Sequence, residues 1–280
     1  MDTNESKMQI NTEDIIAAAC KLPYCKIDRD SFLVKQLKSK VSQEQLMDAL
    51  ENGTINAGIS IDILNKLAEG TIKFEATKAT TLSTAAGIPG GFAMAGTIPA
   101  DLAQFYAHVF RVAQKLAYIY GYKDIDLDDA TQNVLMIFLG VMFGVNAAVA
   151  ALSKLAAANA AKIGARVAAK PLTKYALYNI AKRVLAWIGI KLTKDALGKA
   201  VSKAVPVIGG VISGSLTVAT FLPMAKQLKK ELSKFAAMSL EELEIATAEA
   251  DVILADFEIV SENVSSEENT TNDTETQTTD

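Results

Sequence analysis

The residues of this 280-residue chain with most chemistry in them lie in one stretch, TIPADLAQFYAHVFRVAQKLAYIYGY, residues 97–122. On a helix beginning near Pro99, Asp101, Gln104, His108, Arg111 and Lys115 recur at spacings of three and four and form one polar stripe. Apart from Gln114, everything between them is aliphatic or aromatic. Asp101 and His108, two turns apart, could hold a ligand in a polar seam. The plainer expectation is the solvent face of a helix buried on its other sides, because a single histidine seldom makes a site.

Other candidate chemistry is thinner. GIPGG at 87–91 and VPVIGGVISG at 205–214 are glycine-rich, but neither is followed by G-K-[ST] nor preceded by a strand pattern, so neither reads as a phosphate loop. Cys20 and Cys25 form a C-x4-C pair without a second pair to complete a zinc site, and read as reduced, half-buried thiols of a cytoplasmic protein. The opening MDTNESKMQINTEDII has no basic region and no apolar core of a signal peptide. With no catalytic constellation, metal cluster or cofactor motif, the chain reads as a non-enzyme with no cofactor.

The elements that would position these residues are helices. Half the residues are hydrophobic, mean hydropathy is +0.20, and only six are proline. Ala- and Leu-rich periodic stretches without alternating β-branched runs predict an all-α, multi-helix bundle with apolar, glycine-containing central helices. Ser42 with Gln45, and Ser239 with Glu242, match capping boxes, and Asn52-Gly53 should end the helix begun at Ser42. Pro99 and Asp101 suit a helix start, and Gly121 a left-handed helix end.

Three uncharged windows dominate the middle of the chain: 79–100, 130–153 and 204–225. The second contains VLMIFLGVMFGVNAAVAAL, which as one helix would span ~28 Å, close to a bilayer's hydrocarbon core. The others are interrupted by Pro89, Pro99, Pro206 and Pro223 and by paired glycines. Each window holds a G-x-x-x-G: Gly87 with Gly91, Gly140 with Gly144, and Gly210 with Gly214. Glycines at that spacing share a helix face and let helices pack closely.

Charge is segregated behind a net value of −4. From Lys154 to Lys230 there are 14 Lys/Arg against the single acid Asp195; from Glu231 to Asp280 there are 14 Asp/Glu against Lys234 alone. Within the basic section Lys162, Arg166, Lys170 and Lys174 recur every four residues, followed by Lys182 and Arg183, with Tyr175, Tyr178 and Trp187 nearby. Basic helices carrying Tyr and Trp suit an anionic lipid surface, and equally the solvated face of an ordinary bundle. Nucleic acid is not expected, since no recognition fold is legible and the acidic tail would compete. The expected organisation is a disordered lead-in over 1–10, an N-terminal helical section over 11–78, a second helical domain over 79–257 ending in an acidic amphipathic helix, and a disordered acidic tail over 258–280.

GIPGGFAMAGTIPADLAQFYAHVFRVAQKLAYIYGY, followed much later by AVPVIGGVISGSLTVATF, resembles the EcsC family over about residues 79–235, with Asp101, Tyr120 and Gly121 matching its pattern best. The resemblance implies a bacterial, helical, membrane-associated protein, named for a gene beside an ABC transporter, and supplies no catalytic residue. The combined expectation is a non-catalytic binding or accessory protein at the inner face of the cytoplasmic membrane, beside anionic lipid or a membrane-protein partner such as a transporter. A soluble helical binder of lipid or another apolar ligand, and a membrane-inserting effector, are the alternatives. The oligomeric state is not legible. Residues 261–280 contain one Val and no other sizeable hydrophobe, too little burial to offset their ordering entropy. Truncation after Val260 should therefore leave the melting temperature unchanged, and a drop of several degrees would refute this.

Overall fold

Several helices of this protein start where a short polar side chain accepts from a free backbone N–H. The computed structural model describes residues 12–86, 100–123, 125, 134–161, 172–186 and 206–274, with only the backbone described at 13 and 161 and over 80–86, 100–102, 206–218 and 258–274. Among these the chain is all-helical, with no strand. The order is α1 (Thr12–Cys20), α2 (Arg29–Leu37), α3 (Gln43–Asn52), α4 (Ile61–Ala86), α5 (Ala100–Ile119), α6 (Val134–Met142), α7 (Asn146–Ala161), α8 (174–186), α9 (Pro206–Ala236) and α10 (Leu240–Thr274). Asp28 caps α2 by accepting from Ser31 N, and Ser42 caps α3 by accepting from Gln45 N. At α10 both arms of the capping box form: Glu242 N donates to Ser239 Oγ at 3.3 Å, and Ser239 N to Glu242 Oε2 at 2.7 Å.

Helix α5 is the central element, packed on α1, α2, α4, α6 and α9. From Tyr106 to Gly121 every residue except Arg111 is buried, as a helix hydrophobic on nearly every side must be. It begins at Ala100 with Asp101 in its first turn, as its sequence predicts. It ends in a Schellman motif: Gly121 N donates to Tyr118 O, Tyr122 N to Ala117 O, and Gly121 takes φ +87°. The boundary expected after residue 78 falls inside α4, and α1, α4 and α5 contribute to one core.

The apolar window 134–152 does not form one helix. Gly144 at φ +77° closes α6 with the same pair of bonds, Gly144 N to Val141 O and Val145 N to Gly140 O, and α7 starts at Asn146. Gly140 and Gly144 therefore share no helix face. Gly144 makes the turn, while Gly140 makes the packing: a Cβ built there would lie 2.5 Å from Ala148 Cβ on α7 and 3.3 Å from Val184 on α8. The window is thus a helical hairpin, and no described helix is long and apolar enough to cross a membrane.

Two further expectations are corrected. Pro223 does not interrupt α9, which runs through it. Pro223 and Ala219 both lie on the exposed side, where the carbonyl left without its amide partner can reach water. The acidic terminal helix also does not stop near Phe257: α10 continues to Thr274. No Gly or Pro follows Ser239 to end it.

The lead-in 1–10 and Pro99 lie outside the described residues. So do Gly87 and Gly91, whose expected helix-packing role therefore has no structural counterpart among the described residues. Gly210 and Gly214 lie in α9, one turn apart.

The two glycines of the hairpin should fail differently. Gly140→Ala forces a methyl into Ala148 and should cost ~1–3 kcal/mol through overpacking. Gly144→Ala meets open space and should cost only the left-handed strain of ~1–2 kcal/mol. Adding Ala148→Gly should rescue the first and not the second in urea unfolding; equal rescue of both would contradict this assignment.

Candidate functional site

The polar stripe of α5 is not a solvent face. Its 3–4 spacing is aimed at α4, where Glu75 is fully buried on the side that also carries Leu64, Ala68 and Ile72. His108 Nδ1 lies 3.1 Å from Glu75 Oε2, Arg111 Nε donates to the same oxygen at 3.2 Å and Arg111 NH2 to Oε1 at 3.3 Å, and Lys115 Nζ donates to Oε1. One carboxylate is held by three basic side chains. Burial alone would raise its pKa. The hydrogen bond from His108, the charge and hydrogen bond of Lys115 and the hydrogen bond of Arg111 outweigh burial and hold it well below the usual carboxylate range. Lys115 is pulled below its ordinary value by burial and by the like charges of Arg111 and Lys78, against the opposing pull of Glu75. Gln104 is half-buried, and Asp101 lies outside the described side chains.

The same stripe clamps the segment between α1 and α2. Arg111 NH1 donates to Tyr24 O, and Gln114 accepts from Ile27 N at 3.1 Å while donating to Cys25 O at 3.0 Å. The Tyr24 ring lies 5.8 Å from the His108 ring, whose Nε2 has no hydrogen-bond partner among the described residues. Cys20 and Cys25 are free thiols. The Cys25 thiol is pushed up by its hydrogen bond with Cys20 and by burial, so it is a poor nucleophile. Arg29 donates to Ala49 O and Leu50 O at the end of α3, where a cation complements the helix dipole. A saturated carboxylate, a protonated thiol and a capping guanidinium hold elements together; among the described residues no group of His, Cys, Asp or Glu could hold a metal ion.

Tyr120 and Gly121 also join elements. Tyr120 donates to Asn65 Oδ1 at 2.6 Å, and burial pushes its hydroxyl up to about 12. Gly121 O accepts from Asn159 Nδ2 at 3.2 Å, and Thr54 donates to Ile119 O at 2.7 Å. The left-handed turns at Gly53 and Gly121 touch: a Cβ on Gly53 would sit 2.7 Å from Gly121 O.

The part of the basic section that faces solvent lies on α8. Ala176, Ile180, Ala181 and Val184 are buried, whereas Lys174, Tyr175, Tyr178, Lys182 and Arg183 are exposed. Lys174, Tyr178 and Lys182 recur every four residues along one face, with Tyr175 beside them. The acidic α10 lies against α7, where Lys154 Nζ donates to Asp251, and reaches α8, where the Arg183 guanidinium sits 5.2 Å from the Phe257 ring centre. Lys162, Arg166, Lys170 and Trp187 lie outside the described residues.

Reading charged residues stretch by stretch misses Glu75. Its signal is register: it falls at the three- and four-residue spacing of the apolar face of α4, where an acid requires a cationic partner. Glu75→Gln should destabilise the protein by ~3–5 kcal/mol at neutral pH, because Arg111 and Lys115 stay largely buried without a counter-charge. Because the folded carboxyl sits below its unfolded value of about 4.3, its contribution is complete at higher pH and is lost as pH falls through the folded value. Urea unfolding should thus show the wild-type advantage in full at pH 7 and reduced near pH 3; a constant gap would refute it.

No family model, no curated protein and no solved structure matches this chain.

Proposed function

We propose that this protein is a non-catalytic, membrane-associated binding protein that docks on anionic lipid through the exposed face of α8, at the inner side of the cytoplasmic membrane. The observation that carries the reading is the composition of that face: two solvent-exposed tyrosines, Tyr175 and Tyr178, among Lys174, Lys182 and Arg183, above a buried apolar side. Tyrosine rings favour the headgroup level, where an apolar body and a polar tip are both accommodated. Each neighbouring cation adds about 1 kcal/mol at an anionic leaflet. The acidic α10 opposes docking, because its Phe257 already occupies the Arg183 guanidinium and its carboxylates repel the same leaflet. A membrane-protein partner such as a transporter fits the EcsC resemblance and would sit beside such an anchor.

Vesicle co-sedimentation tests this. Full-length protein should bind vesicles containing anionic lipid and not neutral ones, and binding should fall with salt because exposed charges are screened beyond ~10 Å at 0.1 M. The combined variant Lys174→Gln, Lys182→Gln, Arg183→Gln should lose about 3 kcal/mol, and a chain lacking residues 258–280 should bind more tightly. Binding indifferent to lipid charge and salt would reject the reading.

A further inference from the structure

A groove of about 790 Å³ lies between α4 and α9, within the ~300–1,000 Å³ usual for small-molecule sites. Its rim is cationic. Lys226, Lys230 and Lys234 recur every four residues along α9 and are exposed, Lys229 stands half-buried beside them, and Lys73 faces them from α4. Its floor is apolar, with buried Ile72 and half-buried Leu222. Five lysines thus surround a single lining acid, Glu69, which accepts a hydrogen bond from Lys229 at 2.8 Å.

Glu69 shows what the groove does to an anion. The hydrogen bond and charge of Lys229, then the charges of Lys73 and Lys226, hold its carboxyl below the ordinary range although the side chain faces water. Cations from both walls therefore act at one place. Glu69 pairs with Lys229 and Glu231 lies 3.9 Å from Lys230, which leaves Lys73, Lys226 and Lys234 without an ion pair among the described residues, and exposed like charges over an apolar floor repel one another. A phosphate monoester brings nearly two charges and three acceptor oxygens, which suit lysines acting as point charges on flexible stems. The floor asks for something more than a free anion, namely hydrocarbon to exclude water from Ile72 and Leu222.

We propose that this groove binds one molecule of a single-chain phosphorylated amphiphile, its phosphate among the α9 lysines and its acyl chain along Ile72 and Leu222. The site goes beyond the lipid surface of α8, shares no residue with it, and stands or falls independently.

Calorimetric titration of the full-length protein with monomeric lysophosphatidate, below its micelle concentration, tests the proposal. The expected result is saturable one-to-one binding, with inorganic phosphate and lysophosphatidylcholine each at least about tenfold weaker. Lys226→Gln with Lys234→Gln should weaken lysophosphatidate about tenfold or more while leaving the melting temperature unchanged, both side chains being exposed and outside any ion pair among the described residues. Glu69→Gln should tighten it, since the resident anion no longer competes. Lys182→Gln with Arg183→Gln should leave it unaltered, which separates this site from vesicle docking. Equal affinity for inorganic phosphate would mean that no chain is recognised, and equal affinity for lysophosphatidylcholine that the lysines are not read. Either result overturns the proposal, as would an unchanged affinity in the α9 double variant.

Discussion

The side chains of His108, Arg111 and Lys115 converge from α5 on the one carboxylate of Glu75, and much of the remaining architecture hangs on that convergence. Bringing several ionisable groups into the interior removes their water, and breaking such a set strands whatever charge is left. Once formed, the cluster fixes the rotation of α4 about its own axis, because no other setting gives Glu75 its partners. It also fixes the α1–α2 segment, since Arg111 and Gln114 spend their remaining hydrogen bonds on the backbone of Tyr24, Cys25 and Ile27. An apolar contact of equal area would tolerate sliding by a residue; a bidentate guanidinium and a fixed amide do not.

Around this polar pin the packing is built on small residues at close approach. The missing Cβ at Gly140 lets α6 and α7 fold back on each other, and the left-handed turns at Gly53 and Gly121 meet backbone to backbone. These contacts explain how a chain of such high hydropathy distributes its apolar length. The most hydrophobic window is divided into two short helices by Gly144 and buried among its neighbours instead of being laid out in one line. Hydrophobicity on all sides of a helix then reports a central position in the bundle.

The segregated charges acquire meaning only when the helices are assembled. The lysines after Leu222 look across a groove at α4, whereas the tyrosines and cations of α8 look outward. The acidic α10 lies against α7 and meets α8 at Arg183, so the acidic end of the chain is set beside part of the basic section that precedes it. Two basic surfaces of different character result. One is an exposed helix face that carries aromatic rings; the other is concave, with an apolar floor.

Helicity, the capped starts at Ser42 and Ser239, the extent of α5 from Ala100 to the turn at Gly121, and the division into basic and acidic sections were all legible in the amino-acid order. Each depends on neighbours within four residues, and on the preferences of Ser, Gly and Pro for particular backbone angles. Other features required the assembled structure. The stripe on α5 gives the same spacing whether it faces water or a partner; only the position of α4 places Glu75 opposite it. Gly144 could equally pack or turn, and the outcome is decided by Val145 and Gly140 closing the helix end and by Ala148 taking the space beside Gly140. The lysine groove was divided between residues 69–73 and 222–237, and no local pattern can reveal that two distant helices will share a floor. Spacing along a chain settles which side chains share a face, and long-range packing alone settles what that face meets.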